Sequence, residues 1–240
     1  MHTPSTSVAP DPPAVKLDAV SKLFGIFPAI RNLSVALAPG TVTVILGENG
    51  AGKSTLLRLL AGLTAPTQGA VTVFGQPPET QRGRVACMSH APMLYDELSA
   101  IENLHYFAAL HAGGGCACVG SPEMALRAVG LDPALTRPVG LYSQGMRQRT
   151  SLARALQSDP ELLLLDEPFS NLDVAGAKHI VDLLADFRTW PVYNKNGGSP
   201  HGRTIVLATH QAHLAESIAD LTLTLERGSI VSSVTSGVAA

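Results

Sequence analysis

The sequence predicts an α/β fold with an antiparallel β portion and an inserted helical lobe, and three stretches carry that prediction. TVTVIL (41–46) is a continuous β-branched run, joined by a glycine-rich turn to the helical stretch KSTLLRLLAGL. ELLLLDEP (161–168) is a second buried strand, ending in carboxylates, and the helical VAGAKHIVDLLADF and the strand TIVLATH (204–210) follow it. Between these, from about residue 90 to 158, SAIENLHYFAALH and SPEMALRAVGL show helical periodicity and contain no strong strand.

The other elements fall into place around that frame. Residues 1–14, rich in Pro, Ser and Thr, read as a disordered tail, residues 15–235 as one domain, and 236–240 as a second tail. Apolar alternation begins at VKLDAV and returns at LSVALA, as in half-buried strands. GAVTVFG (69–75) and RVACMS (84–89) read as further strands, and LTLTLERGSIV as a closing hairpin. WPVYNKNGGSPHGR (190–203) is long for a helix-to-strand connection and reads as an exposed insertion.

Composition narrows the function classes. The 240-residue chain is 45% hydrophobic with a net charge of −2, and its Lys and Arg are scattered. A nucleic-acid reader usually carries a basic stripe, so no nucleic acid is expected as a partner. No apolar run approaches the roughly 20 residues that span a bilayer, and MHTPSTSVAPDPPA lacks the basic and apolar regions of a signal peptide. A soluble, cytosolic chain is expected. Cys87, Cys116 and Cys118 form an odd set that fits a reducing compartment. Cys116-x-Cys118 sits in a glycine run without further ligands nearby, and reads as loop rather than metal site.

GENGAGKST (47–55) carries the strongest chemistry. Gly47, Gly52, Lys53 and Ser54 complete G-x-x-x-x-G-K-[ST], after a buried strand and at the start of a helix, the context that motif requires. Glycines let backbone N–H groups wrap phosphate oxygens, Lys53 suits the β- and γ-phosphates, and the Ser54 hydroxyl suits Mg²⁺. At the end of the second strand, Asp166 is placed for Mg²⁺ and Glu167 to orient or deprotonate an attacking water. A plain acid pair after a core strand is the alternative, and the phosphate loop disfavours it. His210 closes the third strand on the same crevice edge, where a γ-phosphate contact competes with a plain polar role. Phe24 stacks on a nucleotide base or packs in the core.

LYSQGMRQR (141–149) reads as a capped helix start. Ser143 is a good N-cap, Gly145 leaves first-turn N–H groups uncovered, and two arginines follow. Such a terminus is an anion site.

In this order the motifs resemble the nucleotide-binding subunit of ABC transporters, over about residues 15–235. GENGAGKST looks like that family's Walker A and LLLLDEP its Walker B, with Glu167 as catalytic glutamate. SNLD (170–173) looks like the D-loop, His210 the switch histidine and Phe24 the aromatic A-loop residue. YSQGMRQR stands where the family carries LSGGQ, with Gln144 in place of a glycine and Met146 in place of the glutamine. The resemblance implies a P-loop NTPase core that hydrolyses ATP with Mg²⁺. It implies nucleotide contacts from Phe24, Gly47, Glu48, Asn49, Gly50, Ala51, Gly52, Lys53, Ser54, Thr55, His90, Ser143, Gln144, Gly145 and Asp173. Lys53, Glu167 and His210 would be catalytic, and Ser54, Asp166 and His90 would lie toward the metal. It also implies a head-to-tail homodimer, in which Ser143 and Gly145 meet the γ-phosphate on the partner's Lys53. Integral-membrane permease subunits would be partners, with this chain peripheral on the cytoplasmic face of the plasma membrane.

A narrower resemblance, in MSHAPMLYDELSAIENLHYF (88–107) and ATHQ (208–211), is to the ATPase of the haem exporter of cytochrome c maturation. There His90 takes the place of the usual Q-loop glutamine, as lobe coupler and water partner. Drug, lipid and polysaccharide exporter ATPases compete with that reading. A chromosome-organising ABC ATPase would need a long heptad insertion, which 90–158 does not contain. A translation-associated one would usually carry two ATPase domains.

Overall fold

The computed structural model describes residues 12–113, 120–191 and 201–236. The expectations for the tails (1–11 and 237–240), for Cys116-x-Cys118 and for 192–200 of the long connection lie outside the described residues.

Two sheets enclose the first helix. Strands β1 (Val15–Phe24), β2 (Phe27–Leu37) and β4 (Gln68–Val73) form an antiparallel sheet in the order β2-β1-β4. Strands β3 (Val42–Leu46), β5 (Val85–Met88), β6 (Leu162–Asp166), β7 (Thr204–Thr209), β8 (Leu221–Glu226) and β9 (Ser229–Thr235) form the larger sheet, in the order β5-β6-β7-β3-β8-β9. It is parallel except for β9, which pairs antiparallel with β8 at one edge. Helix α1 (Lys53–Leu60) follows β3. Helices α2 (Ala100–Gly113), α3 (Pro122–Ala128) and α4 (Gln144–Gln157) make the lobe between β5 and β6. Helices α5 (Val174–Thr189) and α6 (Ala212–Ala215) flank β7 in sequence.

The period of two along the central strands explains why they are apolar throughout. Leu163, Leu165, Ile205 and Leu207 pack toward the lobe and α5, whereas Leu162, Leu164, Val206 and Ala208 pack toward α1 and the small sheet. Both faces are covered, so no polar alternation survives. Truncating one such leucine to alanine costs about 2–5 kcal/mol.

Two boundaries differ from the sequence expectation. The β1–β2 hairpin runs well beyond VKLDAV and LSVALA, because its outer half is solvated and the apolar signal fades there; Ile26 and Phe27 are 85% and 74% exposed. Ala14, assigned to the tail, is buried, and its carbonyl accepts from the Phe74 N–H at 2.8 Å.

Candidate functional site

The parallel register brings three strand ends together. Leu46 pairs with Thr209 and Asp166 with Ala208, so β3, β7 and β6 finish flush at their carboxyl ends. Ligands of open α/β sheets gather at such an edge.

The loop after β3 depends on glycine. Gly52, at φ 109°, is the N-cap of α1, and a Cβ there would meet the Ala29 carbonyl oxygen at 2.5 Å. Gly47, at φ 154°, has the Leu225 carbonyl in the same relation at 2.4 Å. No side chain caps α1 and no acid occupies its first turn. Its first N–H groups and its dipole therefore face the cleft as a partial positive charge.

Lys53 is buried and turns back into this loop. Its ammonium donates to the Gly47 carbonyl at 2.6 Å and the Glu48 carbonyl at 3.4 Å, and lies 3.5 Å from Glu167 Oε1. Glu167 is buried too, and its backbone adopts φ 53°, the left-handed region a non-glycine residue rarely enters. Three bonds hold it there. Its N–H donates to Ala208 O at 2.8 Å, and its own carbonyl accepts from Gln148 Nε2 at 2.8 Å and from the Ser170 N–H at 3.2 Å.

The carboxylate of Glu167 faces β7. Its Oε2 accepts from the Thr209 hydroxyl at 3.1 Å and the His210 N–H at 3.3 Å, and sits 3.0 Å from His210 Nδ1. A carboxylate only accepts, so Nδ1 carries the proton, which leaves Nε2 an acceptor in the neutral ring.

These groups surround a cleft of about 910 Å³. Glu48, Asn49, Gly50, Gly52, Lys53, Ser54, Thr55, His90, Asp166, Glu167 and His210 line it. Gly47 and Ala51 border a neighbouring hollow of about 670 Å³ on the other side of the loop. Cys87 also lines the main cleft; burial, then the charge of Asp166, pushes its thiol up to about 11. Among the described residues no three His, Cys, Asp or Glu side chains form a metal cluster.

Five expected contacts lie outside both hollows. Phe24 is half exposed at the hairpin tip, 5.1 Å from Lys22 Nζ, rather than in the core. Ser143 caps α4, its hydroxyl accepting from the Met146 N–H at 3.2 Å, and Ser143 and Gln144 are exposed. Gly145 rests against the chain itself, since a Cβ there would meet the Asn171 carbonyl oxygen at 2.7 Å. Asp173 caps α5 through the Gly176 N–H at 2.9 Å and keeps its side chain 77% exposed, 3.8 Å from Arg149.

Sequence reasoning missed Thr209 and Gln148, both buried and both bonded to Glu167. Thr209 had a signal, because it immediately precedes the strand-end histidine. Gln148 had none, since its partner is 19 positions away.

Comparison with known proteins places this architecture. The ABC transporter family pattern matches residues 30–170. A fluoroquinolones export ATP-binding protein of Mycobacterium tuberculosis is 36% identical over 208 residues, covering 85% of this chain and 64% of that protein. The chain thus spans just under two thirds of that relative's length. The ABC transporter ATP-binding protein NatA of Bacillus subtilis is 31% identical, covering 85% of this chain and 80% of that protein. A solved ATP-binding subunit of an ABC transporter is 26% identical with a TM-score of 0.75, over 92% of this chain and 90% of that one. The fold is that of a P-loop, ATP-binding cassette. The chain belongs to the ABC transporter family.

Proposed function

We propose that this chain is the nucleotide-binding subunit of an exporter, hydrolysing Mg-ATP between two head-to-tail copies of itself and driving separate membrane subunits. The carrying observation is the 3.5 Å approach of Lys53 to Glu167 inside a cleft that Ser54, Asp166 and the bare start of α1 also line. Opposite charges are buried together there, and a phosphate oxygen offers Lys53 an alternative partner. ATP entry then passes the ammonium from Glu167 to the β- and γ-phosphates. The carboxylate, still oriented by Thr209 and His210, is left to align the attacking water and take its proton.

The donor set fits Mg²⁺, a hard cation that takes oxygen ligands. Ser54 Oγ and the Asp166 carboxylate would hold it; the ring nitrogen of His90 matches it less well and suits a water-network role at the cleft wall. When bound, Mg²⁺ supplies charge neutralisation on the phosphates.

Export is supported by the name of one relative, the fluoroquinolones export protein. A drug-like cargo is the reading that name suggests. His90 at the glutamine position favours the second reading, haem export. Among the described residues no helix is long and apolar enough to cross a membrane; in this proposal the chain binds separate permease subunits on the cytoplasmic face.

Glu167→Gln tests the core of the proposal. It should retain Mg-ATP binding and slow turnover by on the order of 10²-fold or more. Trapped ATP should then hold the dimer closed by mass action. Light scattering in Mg-ATP should show dimer accumulating; a fast, monomeric Glu167→Gln protein defeats the reading.

A further inference from the structure

Helix α4 carries polar side chains at every third position along one stripe, buried at Gln148 and Ser151 and half-buried at Arg154. Gln148 Nε2 donates to the Glu167 carbonyl at 2.8 Å, Ser151 Oγ to the Pro92 carbonyl at 3.1 Å, and Arg154 to the Met93 carbonyl at 3.1 Å. Residues three apart share a helix face, so this stripe grips the turn that bears Glu167 together with the loop just beyond His90. Gln148 is 4% exposed, and its burial is compensated through that bond.

The bond matters because of where it lands. The peptide after Glu167 leads into Pro168, which has no N–H to donate, and Glu167 itself sits at φ 53°. A conformation of that kind persists only when its surroundings over-determine it. Gln148 supplies the only side-chain bond to that carbonyl among the described residues, the other being the 3.2 Å Ser170 N–H. Rotating this peptide swings the Glu167 side chain away from Thr209, His210 and Lys53.

We propose that Gln148 is a positioning residue for hydrolysis, which makes the orientation of Glu167 depend on the seating of α4. The inference rests on Glu167 being the residue that activates water. Gln148 lies five positions after the Ser143 cap, about 7.5 Å along the same rigid helix. Whatever anion docks at the start of α4 therefore shifts the amide that holds Glu167. The anion end of α4 serves one site and its buried flank serves the other, so a single helix ties the two halves of the reaction together.

The test uses Gln148→Met, which keeps length and volume but has no N–H, and Gln148→Asn, whose shorter amide cannot span the gap. Each is measured alone and combined with Glu167→Gln, in the full chain with Mg-ATP, with melting temperature as the check on folding. Both single variants should lose about tenfold in kcat with KM for ATP within about twofold, the signature of an interaction felt in the transition state. In the Glu167→Gln background neither should slow single-turnover hydrolysis further, because contacts that act through one another are non-additive. Wild-type kcat in either folded variant, or the same tenfold loss on top of Glu167→Gln, overturns the proposal. If Glu167→Gln alone turns over normally, the assignment of Glu167 fails and Gln148 falls with it. If Glu167→Gln is slow and Gln148→Met is fast, only the role of Gln148 falls.

Discussion

The start of α1 and the start of α4 both present helix N-termini, yet they are finished differently. At α1 the charge is internally matched, with Lys53 folded onto two loop carbonyls and Glu167 and the whole group sunk beneath the surface. At α4 the cap is Ser143 alone, exposed to solvent and lining neither of the two hollows beside α1. One end is a complete pocket waiting for a ligand to exchange partners; the other is a lid without a box. The two-fold arrangement proposed above would pair the two ends, each copy lending the same patch to the other.

The largest effect expected from breaking this contrast is at Lys53. Lys53→Ala removes the only ammonium that lines the cleft among the described residues and leaves Glu167 without the cation 3.5 Å from it. ATPase activity should fall by on the order of 10²-fold or more, the scale for losing a charge that stabilises a phosphoryl transition state. Normal turnover in the purified protein would remove the pocket end of the comparison.

Ser143→Arg probes the exposed end. It takes away a helix cap worth about 1 kcal/mol and projects a long side chain toward the partner's phosphates. The variant should bind ATP normally and turn it over poorly. Mixing it with Lys53→Ala sharpens the contrast. If each site joins Lys53 of one copy to Ser143 of the other, a mixed dimer holds one site with both defects and one with neither. Two inactive proteins should then recover roughly a quarter of wild-type activity when mixed in equal amounts. No recovery would mean that both ends serve one chain's own site.

The smallest effect concerns Cys87, which lines the pocket end. Burial and the neighbouring Asp166 charge raise its thiol from 9.0 to about 11. Thiolate is the reactive form, so at pH 8 alkylation by iodoacetamide should be about 100-fold slower than for an ordinary thiol, rising only as the pH nears 11. Because the folded value lies above the unfolded one, the neutral thiol's contribution to stability is fully present below pH 9.0 and is lost as the pH climbs through about 11. Mass spectrometry across a pH series reads the first effect, and rapid labelling near neutrality contradicts it.

Much of the pocket end could be read from sequence because its residues are neighbours along the chain. Gly47 to Thr55 form one loop and one helix start, and Asp166, Glu167 and His210 each follow an apolar run that had to be a strand. The rest depends on distance. Gln148 and Glu167 meet only after the lobe has packed, and neither a helical period nor a residue type announces that meeting. The hairpin tip shows the opposite limit: an aromatic residue type leaves Phe24 open between base stacking and core packing, and only the strand pair, which carries it out beyond the core into solvent, removes the second. Spacing reveals what is local, and burial of polar side chains reveals what the fold adds.

The contact between Gly145 and Asn171 also governs how this sequence is free to drift. Any side chain at 145 would push on a backbone carbonyl that sits 2.7 Å from its first carbon, so the position tolerates glycine alone before any partner or nucleotide is involved. Gln144 beside it is exposed and Met146 only half buried, and neither meets such a wall. Substitutions that accumulate in YSQGMRQR therefore have two open doors flanking a closed one. The glycine of YSQGMRQR is thus held in place by the chain's own backbone, independently of any ligand.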